Sequence, residues 1–298
     1  MRFEPRYLIT RTILTHRTPR LEPMRENLGA AALYALDHAR QALEGKALAV
    51  LTGAGISTDS GIPDYRGQGK VARHPMTFDN FMGSPEARIR YWARSFVGWS
   101  RISDAEPNEG HKALAEAEKH GRIELLITQN VDQLHQRAGS QQVIDLHGRL
   151  DLVKCMGCGF TFTRVEMDEL LQGLNPLISK DPEIEFSPDG DAEIEAVAGF
   201  VVPGCPECGG ILKPDVVFFG ENVPTDRVEK AVAAVEKADA LLVVGTSLAV
   251  NSGFRFARMA SKAEKPIVVI NIGPTKADEL ATVKVEASSS LALPLLLL

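Results

Sequence analysis

The chain's four cysteines stand in two Cys-x-x-Cys pairs, Cys155-Met156-Gly157-Cys158 and Cys205-Pro206-Glu207-Cys208. Four thiolates at that spacing suit a tetrahedral zinc ion. With all four positions filled by protein, such a metal is structural and not catalytic. A redox dithiol and two disulfides are the competing readings. A second group is Thr128-Gln129-Asn130-Val131-Asp132-Gln133-Leu134-His135. It concentrates side chains able to bind sugar hydroxyls and an amide, although Asn and Asp in such a loop also serve as turn formers. His147 lies between an apolar run and Gly148. It is a candidate general base, because imidazole titrates near neutral pH. A structural histidine would look the same.

The third stretch, from Ala47 to Gly67, reads ALAVLTGAGISTDSGIPDYRG. An apolar run suited to a buried strand breaks into Gly53-Ala54-Gly55, and Ser57 and Thr58 follow as candidate helix caps. Strand, tight small-residue turn and helix start are the recipe for holding a dinucleotide pyrophosphate. The spacing departs from G-x-G-x-x-G because position 58 is Thr, so an ordinary tight turn competes. The polar loop from Asp59 to Gly67, with Asp64, Tyr65 and Arg66, could fold over a ligand. Lys213 to Glu221, KPDVVFFGE, is an extended segment that fits either a core strand or a sheet edge offered to a peptide.

These residues need a scaffold, and the periodicity supplies one. Apolar runs at 47–51, 123–128, 143–146, 240–244 and 267–270 end in polar or glycine residues, and helical spacing lies between several of them. Strands alternating with helices predict an α/β fold with a parallel sheet covered on both faces. In such sheets the ligand sits at the carboxyl ends of the strands. Gly53, Gln129, Asn130, His147, Gly245, Ser247 and Asn271 should therefore gather along one edge. Helices are expected over 26–44, much of 75–99, 108–120, 225–237 and 252–262. Between 151 and 211 periodicity weakens, which reads as a small zinc-binding insertion. The sheet domain is then 26–150 plus 212–298.

The chain has 298 residues, 44% hydrophobic and 24% charged, with net charge −6 and a pI near 5.7. That balance argues against an electrostatic nucleic-acid binder. No apolar run is long enough for a membrane span, and the tail from Leu291 to Leu298 reads as a segment packing on the core. Residues 1–25 carry Arg2, Arg6, Arg11, Arg17, Arg20 and Arg25. They read as a flexible extension, with Met24 as an alternative start. A transit peptide would place the protein in the mitochondrial matrix and not the cytoplasm.

Taken together, GAGIS (53–57), GIPDYRG (61–67), TQNVDQLH (128–135), LHG (146–148), the two Cys pairs, KPDVVFFGE (213–221), GTSLAV (245–250) and Ile270-Asn271 resemble the sirtuins, the NAD-dependent protein deacylases. The resemblance implies a Rossmann-like domain with an inserted zinc domain, NAD as co-substrate and acylated-lysine proteins as partners. It implies Gly53, Ala54, Gly55, Ser57, Asp64, Tyr65 and Arg66 in the cofactor segment and its loop. Gln129, Asn130, Val131 and Asp132 would serve the ribose and nicotinamide pocket, with Asn130 and Asp132 assisting a catalytic His147. Gly245, Thr246, Ser247, Asn271, Ile272 and Gly273 would hold the adenosine half. Ser289 stands where the family often has another residue type. Val217, Phe218, Gly220 and Glu221 would line the acyl-lysine channel.

The implied chemistry is attack of the acyl oxygen on the ribose as nicotinamide departs, followed by proton removal from a ribose hydroxyl by His147. GIPDYRG and RYWARSFVGW (90–99) are similar to the subgroup of the mitochondrial lipoamidase and ADP-ribosyltransferase sirtuin. Tyr91 and Arg94 share the Tyr-x-x-Arg spacing of desuccinylating sirtuins, whose two side chains could reach one acyl carboxylate. A packed Tyr beside a surface Arg is the plain alternative. Mono-ADP-ribosyl transfer is the alternative enzyme, and an NAD- or peptide-binding module without turnover is the alternative from another class. A monomer is favoured, with the oligomeric state left open.

Overall fold

The computed structural model describes residues 21–64, 76–178 and 199–298. The first elements are α1 (Leu21–Glu26), α2 (Ala30–Leu43), β1 (Leu48–Thr52), two single 3-10 turns at Ala54–Ile56 and Thr58–Ser60, α3 (Phe78–Gly83), α4 (Pro85–Ser103) and α5 (Glu109–Lys119). Next come β2 (Ile123–Thr128), α6 (Leu134–Arg137), β3 (Val143–Asp145), β4 (Gly148–Cys155), β5 (Thr161–Thr163) and α7 (Arg164–Leu174). The remainder holds β6 (Leu212–Val216), α8 (Thr225–Lys237), β7 (Ala240–Val244), α9 (Asn251–Lys262), β8 (Ile267–Ile270), β9 (Val283–Val285) and α10 (Ser289–Leu297).

Six of the strands form a parallel sheet in the order β3-β2-β1-β7-β8-β9. β1 (LAVLT) and β7 (ALLVV) pair directly, and every residue of both is buried. Such continuous burial requires cover on both faces. On one face, Leu36 and Leu43 of α2, Leu114 of α5 and Leu293 of α10 pack on Val50 and Leu242. On the other, Val235 of α8 and Phe256 of α9 pack on Leu51 and Val243. From β1 the chain continues to β2 and β3 on one side; from β7 it continues to β8 and β9 on the other. The carboxyl ends of β1 and β7 are therefore the topological switch point, where ligands bind in open α/β sheets. The expected Rossmann-like sheet is present, and the apolar tail forms α10 against it. The extension expected at residues 1–25 overlaps α1, whose Leu21 and Met24 pack on the same cluster.

β5, β4 and β6 form a separate antiparallel sheet. It begins at Gly148 and ends at Val216, a little outside the 151–211 insertion read from the sequence. Its core is shared with two helices that precede it: Phe81 of α3 and Trp92 and Phe96 of α4 join Val153, Phe162, Met167 and Leu212. Arg164, at 1% exposure, fastens α7 to α4. Its guanidinium lies 5.6 Å from the Trp92 ring centroid and 5.1 Å from that of Trp99. It donates to the Ser95 carbonyl at 3.2 Å and to Asp168 at 3.1 Å. A buried charge survives only with such partners. Among the described residues no helix is long and apolar enough to cross a membrane.

Candidate active site

The chain turns sharply at the end of β1, and it does so against itself. A Cβ on Gly53 would stand 2.6 Å from Thr246 Cβ, and one on Gly55 would stand 2.9 Å from the Gly245 carbonyl oxygen. Gly245 has φ +58, and a Cβ there would meet Ile56 N at 2.3 Å. These glycines let two strand-end turns interlock, with Gly55 N–H donating to Gly245 O at 2.8 Å. The helix expected after this turn is absent: two 3-10 turns stand in its place. Ser57 and Thr58 therefore cap nothing. Ser57 Oγ donates to Asp132 Oδ2 at 2.7 Å, and Thr58 Oγ1 donates to the Gly55 carbonyl at 3.1 Å. A turn this short has no row of free N–H groups to cap, whereas the buried Asp132 carboxylate needs a donor.

The loop after β2 brings three of the expected residues together. Asn130 Nδ2 donates to the Gly53 carbonyl at 3.2 Å and to Ser57 Oγ at 3.1 Å. Asp132 Oδ1 accepts from Leu134 N–H at 3.0 Å. Burial pushes the Asp132 carboxyl pKa upward, and the hydrogen bonds from Leu134 and Ser57 oppose that shift. Gln129 Nε2 donates to the Thr52 carbonyl at 3.1 Å and to Thr246 Oγ1 at 3.0 Å, joining the ends of β1, β2 and β7.

His147 follows β3. Its Nδ1 is 3.1 Å from the Gln129 carbonyl oxygen, which can only accept, so Nδ1 carries the proton of the neutral ring. Nε2 is then a bare lone pair, and it lies 2.9 Å from Ser252 Oγ. Burial lowers the imidazole pKa, the Gln129 hydrogen bond opposes this, and Arg227 adds to the lowering. The ring is thus neutral at neutral pH, as a base must be.

The four cysteines are free thiols, and their sulfurs lie within 4.8 Å of one another. Cys155 and Cys208 Sγ are 3.5 Å apart, and Cys158 and Cys205 Sγ 3.8 Å. The N–H groups of Gly157 and Cys158 point at Cys155 Sγ, at 3.3 and 3.5 Å. A sulfur accepting amide hydrogen bonds inside a four-sulfur cluster fits a thiolate set for zinc.

The Sir2 family profile matches residues 53–252. This chain belongs to the Sir2 family, the sirtuins. It is 58% identical over 253 residues to an NAD-dependent protein deacetylase of Xanthomonas campestris pv. campestris (strain 8004), covering 84% of this chain and 86% of that protein. It is 53% identical over 258 residues to NAD-dependent protein deacetylase 2 of Bradyrhizobium diazoefficiens, covering 84% and 93%. A solved structure described as Sir2-p53 peptide-NAD+ matches with TM-score 0.70 at 31% identity, covering 87% and 95%. One described as Sir2Tm bound to a propionylated peptide matches with TM-score 0.69 at 31% identity, with the same coverage.

The remaining expected residues of this sirtuin are placed less uniformly. Ser247 stands at the end of β7, half-buried, and Asn271 at the end of β8 donates to the carbonyls of Ile272 and Gly273 at 2.8 and 3.1 Å. Ile272 is exposed. Ser289 is buried in the first turn of α10 against Gly110, and its Oγ has no polar partner. Asp64 is described; Tyr65 and Arg66 lie outside the described residues. Val131 is half-buried, and its carbonyl accepts from Leu150 N–H at 3.1 Å. Val217 N–H donates to the His147 carbonyl at 2.8 Å, so the segment after β6 is tied to the backbone of His147. Phe218 N–H donates to Glu221 Oε2 at 2.9 Å, and Glu221 pairs with the buried Lys213 at 3.0 Å. Gly220 is exposed, with φ +84. Tyr91 is buried, with its ring 5.4 Å from that of Phe81 and 5.2 Å from that of Phe218; Arg94 follows one turn later, half-buried.

Four residues that contact the expected site residues or one another have no local sequence signal of that contact: Thr52, His135, Ser252 and Gly253. Gly253 matters because a Cβ there would meet Gln129 Oε1 at 2.6 Å. His135 reads as an ordinary loop or helix-start residue, yet it is 1% exposed, with Nε2 2.9 Å from Thr52 Oγ1. Thr52 Oγ1 in turn lies 2.9 Å from Thr128 Oγ1, which accepts from Asn130 N–H at 3.1 Å.

Two expected outcomes follow from this geometry. The acid limb of kcat/KM against pH should have its midpoint below the ordinary imidazole value of about 6.5, because the lowered pKa keeps His147 unprotonated further into acid; a midpoint above that value would contradict the neutral ring. Removal of metal with a strong chelator should unfold the antiparallel module, seen as loss of a separate unfolding transition or a fall in melting temperature. A Cys205→Ser variant should behave like chelated protein and no longer respond to chelator.

Proposed function

We propose that the chain is an NAD-dependent protein-lysine deacylase that removes acetyl groups from lysine side chains, in the manner its relatives' names describe. The observation that carries this reading is the unprotonated Nε2 of the half-buried His147, whose Nδ1 is held by the Gln129 carbonyl next to the linked Gly53, Asn130, Ser57 and Asp132. NAD, when bound, supplies a glycosidic bond with nicotinamide as leaving group. Gly53 to Ser57, Gln129, Asn130 and Asp132 would hold its nicotinamide ribose, and Gly245 to Ser247 with Asn271 to Gly273 its adenosine half. Ser57, itself held by Asn130, keeps the Asp132 carboxylate in place. His147 takes a proton at Nε2 while Gln129 accepts from Nδ1–H. Val217, Phe218, Gly220 and Glu221 would border the acyl-lysine. The zinc module would be structural, and the enzyme would act in the cytoplasm.

The finer assignment is to the subgroup of the mitochondrial lipoamidase and ADP-ribosyltransferase sirtuin, with an acidic acyl group held by Tyr91 and Arg94. It rests on their places one turn apart on α4 and on the contact of the Tyr91 ring with Phe218.

Nicotinamide release with acetyl, propionyl, succinyl, glutaryl, hydroxymethylglutaryl and lipoyl peptides tests both levels. Release with free lysine as product on any peptide supports deacylation. Labelled protein in place of free lysine would move the reading to mono-ADP-ribosyl transfer. A preference for acidic acyl groups that Tyr91→Phe and Arg94→Met each reduce by about tenfold, the size of one charge-assisted hydrogen bond, supports the carboxylate clamp. Indifference to both changes returns these residues to packing.

A further inference from the structure

The lone pair that must accept a proton is already occupied in the free protein. With Nδ1–H given to the Gln129 carbonyl, Nε2 of neutral His147 can only accept, so at 2.9 Å the Ser252 hydroxyl is its donor. The ring is held at both nitrogens, one by the backbone after β2 and the other by the first turn of α9.

The start of α9 is built for this contact. Its N-cap, Val250, offers no side-chain cap, and the nearby hydroxyl of Ser252 is turned to the imidazole. The next residue, Gly253, is buried so close to Gln129 that any Cβ would displace its amide. That amide holds Thr52 O and Thr246 Oγ1, and the same residue's carbonyl holds Nδ1. Ser252-Gly253 thus sets the helix against Gln129 and the ring together.

We propose that Ser252 is a positioning residue for the base: its hydroxyl fixes the imidazole so that Nε2 stays unprotonated and in one orientation until a ribose hydroxyl replaces that of Ser252. This rests on the deacylase reading. Without Ser252 the ring is held at one nitrogen only and turns about its Cβ–Cγ bond, so Nε2 is in place for a fraction of the time. Only the step that needs the base suffers. Departure and return of nicotinamide precede that step and do not use it.

The test measures two rates on the same protein with an acetyl-lysine peptide: deacetylation, and exchange of labelled nicotinamide into NAD. Ser252→Ala should lower deacetylation kcat by about tenfold while exchange and the KM for NAD stay within about twofold, and Ser252→Thr, which keeps the hydroxyl, should recover most of the loss. A second readout needs no turnover: NMR of isotope-labelled imidazole nitrogens should give one tautomer for His147 in the free wild-type protein and a changed Nε2 signal in Ser252→Ala. Deacetylation and exchange falling together would show a merely structural helix start and overturn the proposal. So would a Ser252→Ala variant with wild-type deacetylation, or an unchanged Nε2 signal. A wild-type protein that performs neither reaction on any acyl peptide counts against the deacylase reading, while the imidazole signals still decide whether Ser252 holds the ring.

Discussion

His147→Ala should lower deacetylation by about 10²–10⁴-fold, the usual share of a general base, and leave nicotinamide exchange largely intact. The asymmetry follows from where the ring sits. Nδ1 is committed to the Gln129 carbonyl and Nε2 to Ser252 and its eventual replacement, so the ring has no free polar atom for the departing nicotinamide. The interlocked glycine turns and the Asn130–Ser57–Asp132 chain make no hydrogen bond to the imidazole, so binding of the nucleotide should persist. Parallel assays of exchange and deacetylation, with a thermal melt to confirm folding, check this. Loss of both rates in a folded variant would mean that the ring shapes the pocket and is not a base.

Gly148→Ala should cost about 3 kcal/mol or more of stability. Gly148 has φ +86 and pairs with Val216 where β4 meets β6, and an added Cβ would stand 2.0 Å from the Asp215 carbonyl oxygen. A left-handed backbone costs an ordinary residue roughly 1–2 kcal/mol, and the overlap with main chain adds to this because backbone cannot swing aside. The residue before it is His147, so whatever part of the strain relaxes will move the proposed base. Gly121→Ala is the matched control: φ is +71, but nothing lies within 4 Å of the new carbon. It should show the conformational cost alone, about 1 kcal/mol. Denaturant midpoints that agree for the two variants would remove the steric part of this argument.

The parallel sheet was legible because its strands are buried on both faces. Leu48–Leu51, Ala240–Val244 and Ile267–Ile270 are buried and wholly apolar, and such runs stand out at any reading. β9 escaped notice for the opposite reason: it is three residues long with Lys284 in its middle, at the sheet edge. The small module is held by a sulfur cluster and by short strands whose faces alternate, so its β4, β5 and α7 leave little periodicity to read. The two helices that complete its core come from before it in the chain. Nothing in the sequence around Arg164 announces the two tryptophans it meets on another helix.

At the site, residue types were legible and their partners were not. The Asn130, Asp132 and His147 motifs carry their own signature. Ser57 does not show that it will serve Asp132 and not a helix, and Ser252 lies 105 positions from the ring it meets. Long-range pairing of small hydroxyls is decided by the packing of α9 and of the interlocked glycine turns, which exist only once the sheet has closed.

If the proposed acyl-lysine channel runs beside Phe218, the pair of buried Lys213 and half-buried Glu221 would bear on substrate choice in its own way. Lys213 stands 4.7 Å from the Phe218 ring centroid, and Glu221 holds the Phe218 amide, so that aromatic ring is braced along its face and at its backbone. A wall braced in this way yields little. An acyl chain entering beside Phe218 would therefore be sorted by compliance, since size differences that a soft wall would absorb must be taken up elsewhere. Weakening the brace should blunt discrimination between short and long chains before it alters the rate on the best of them.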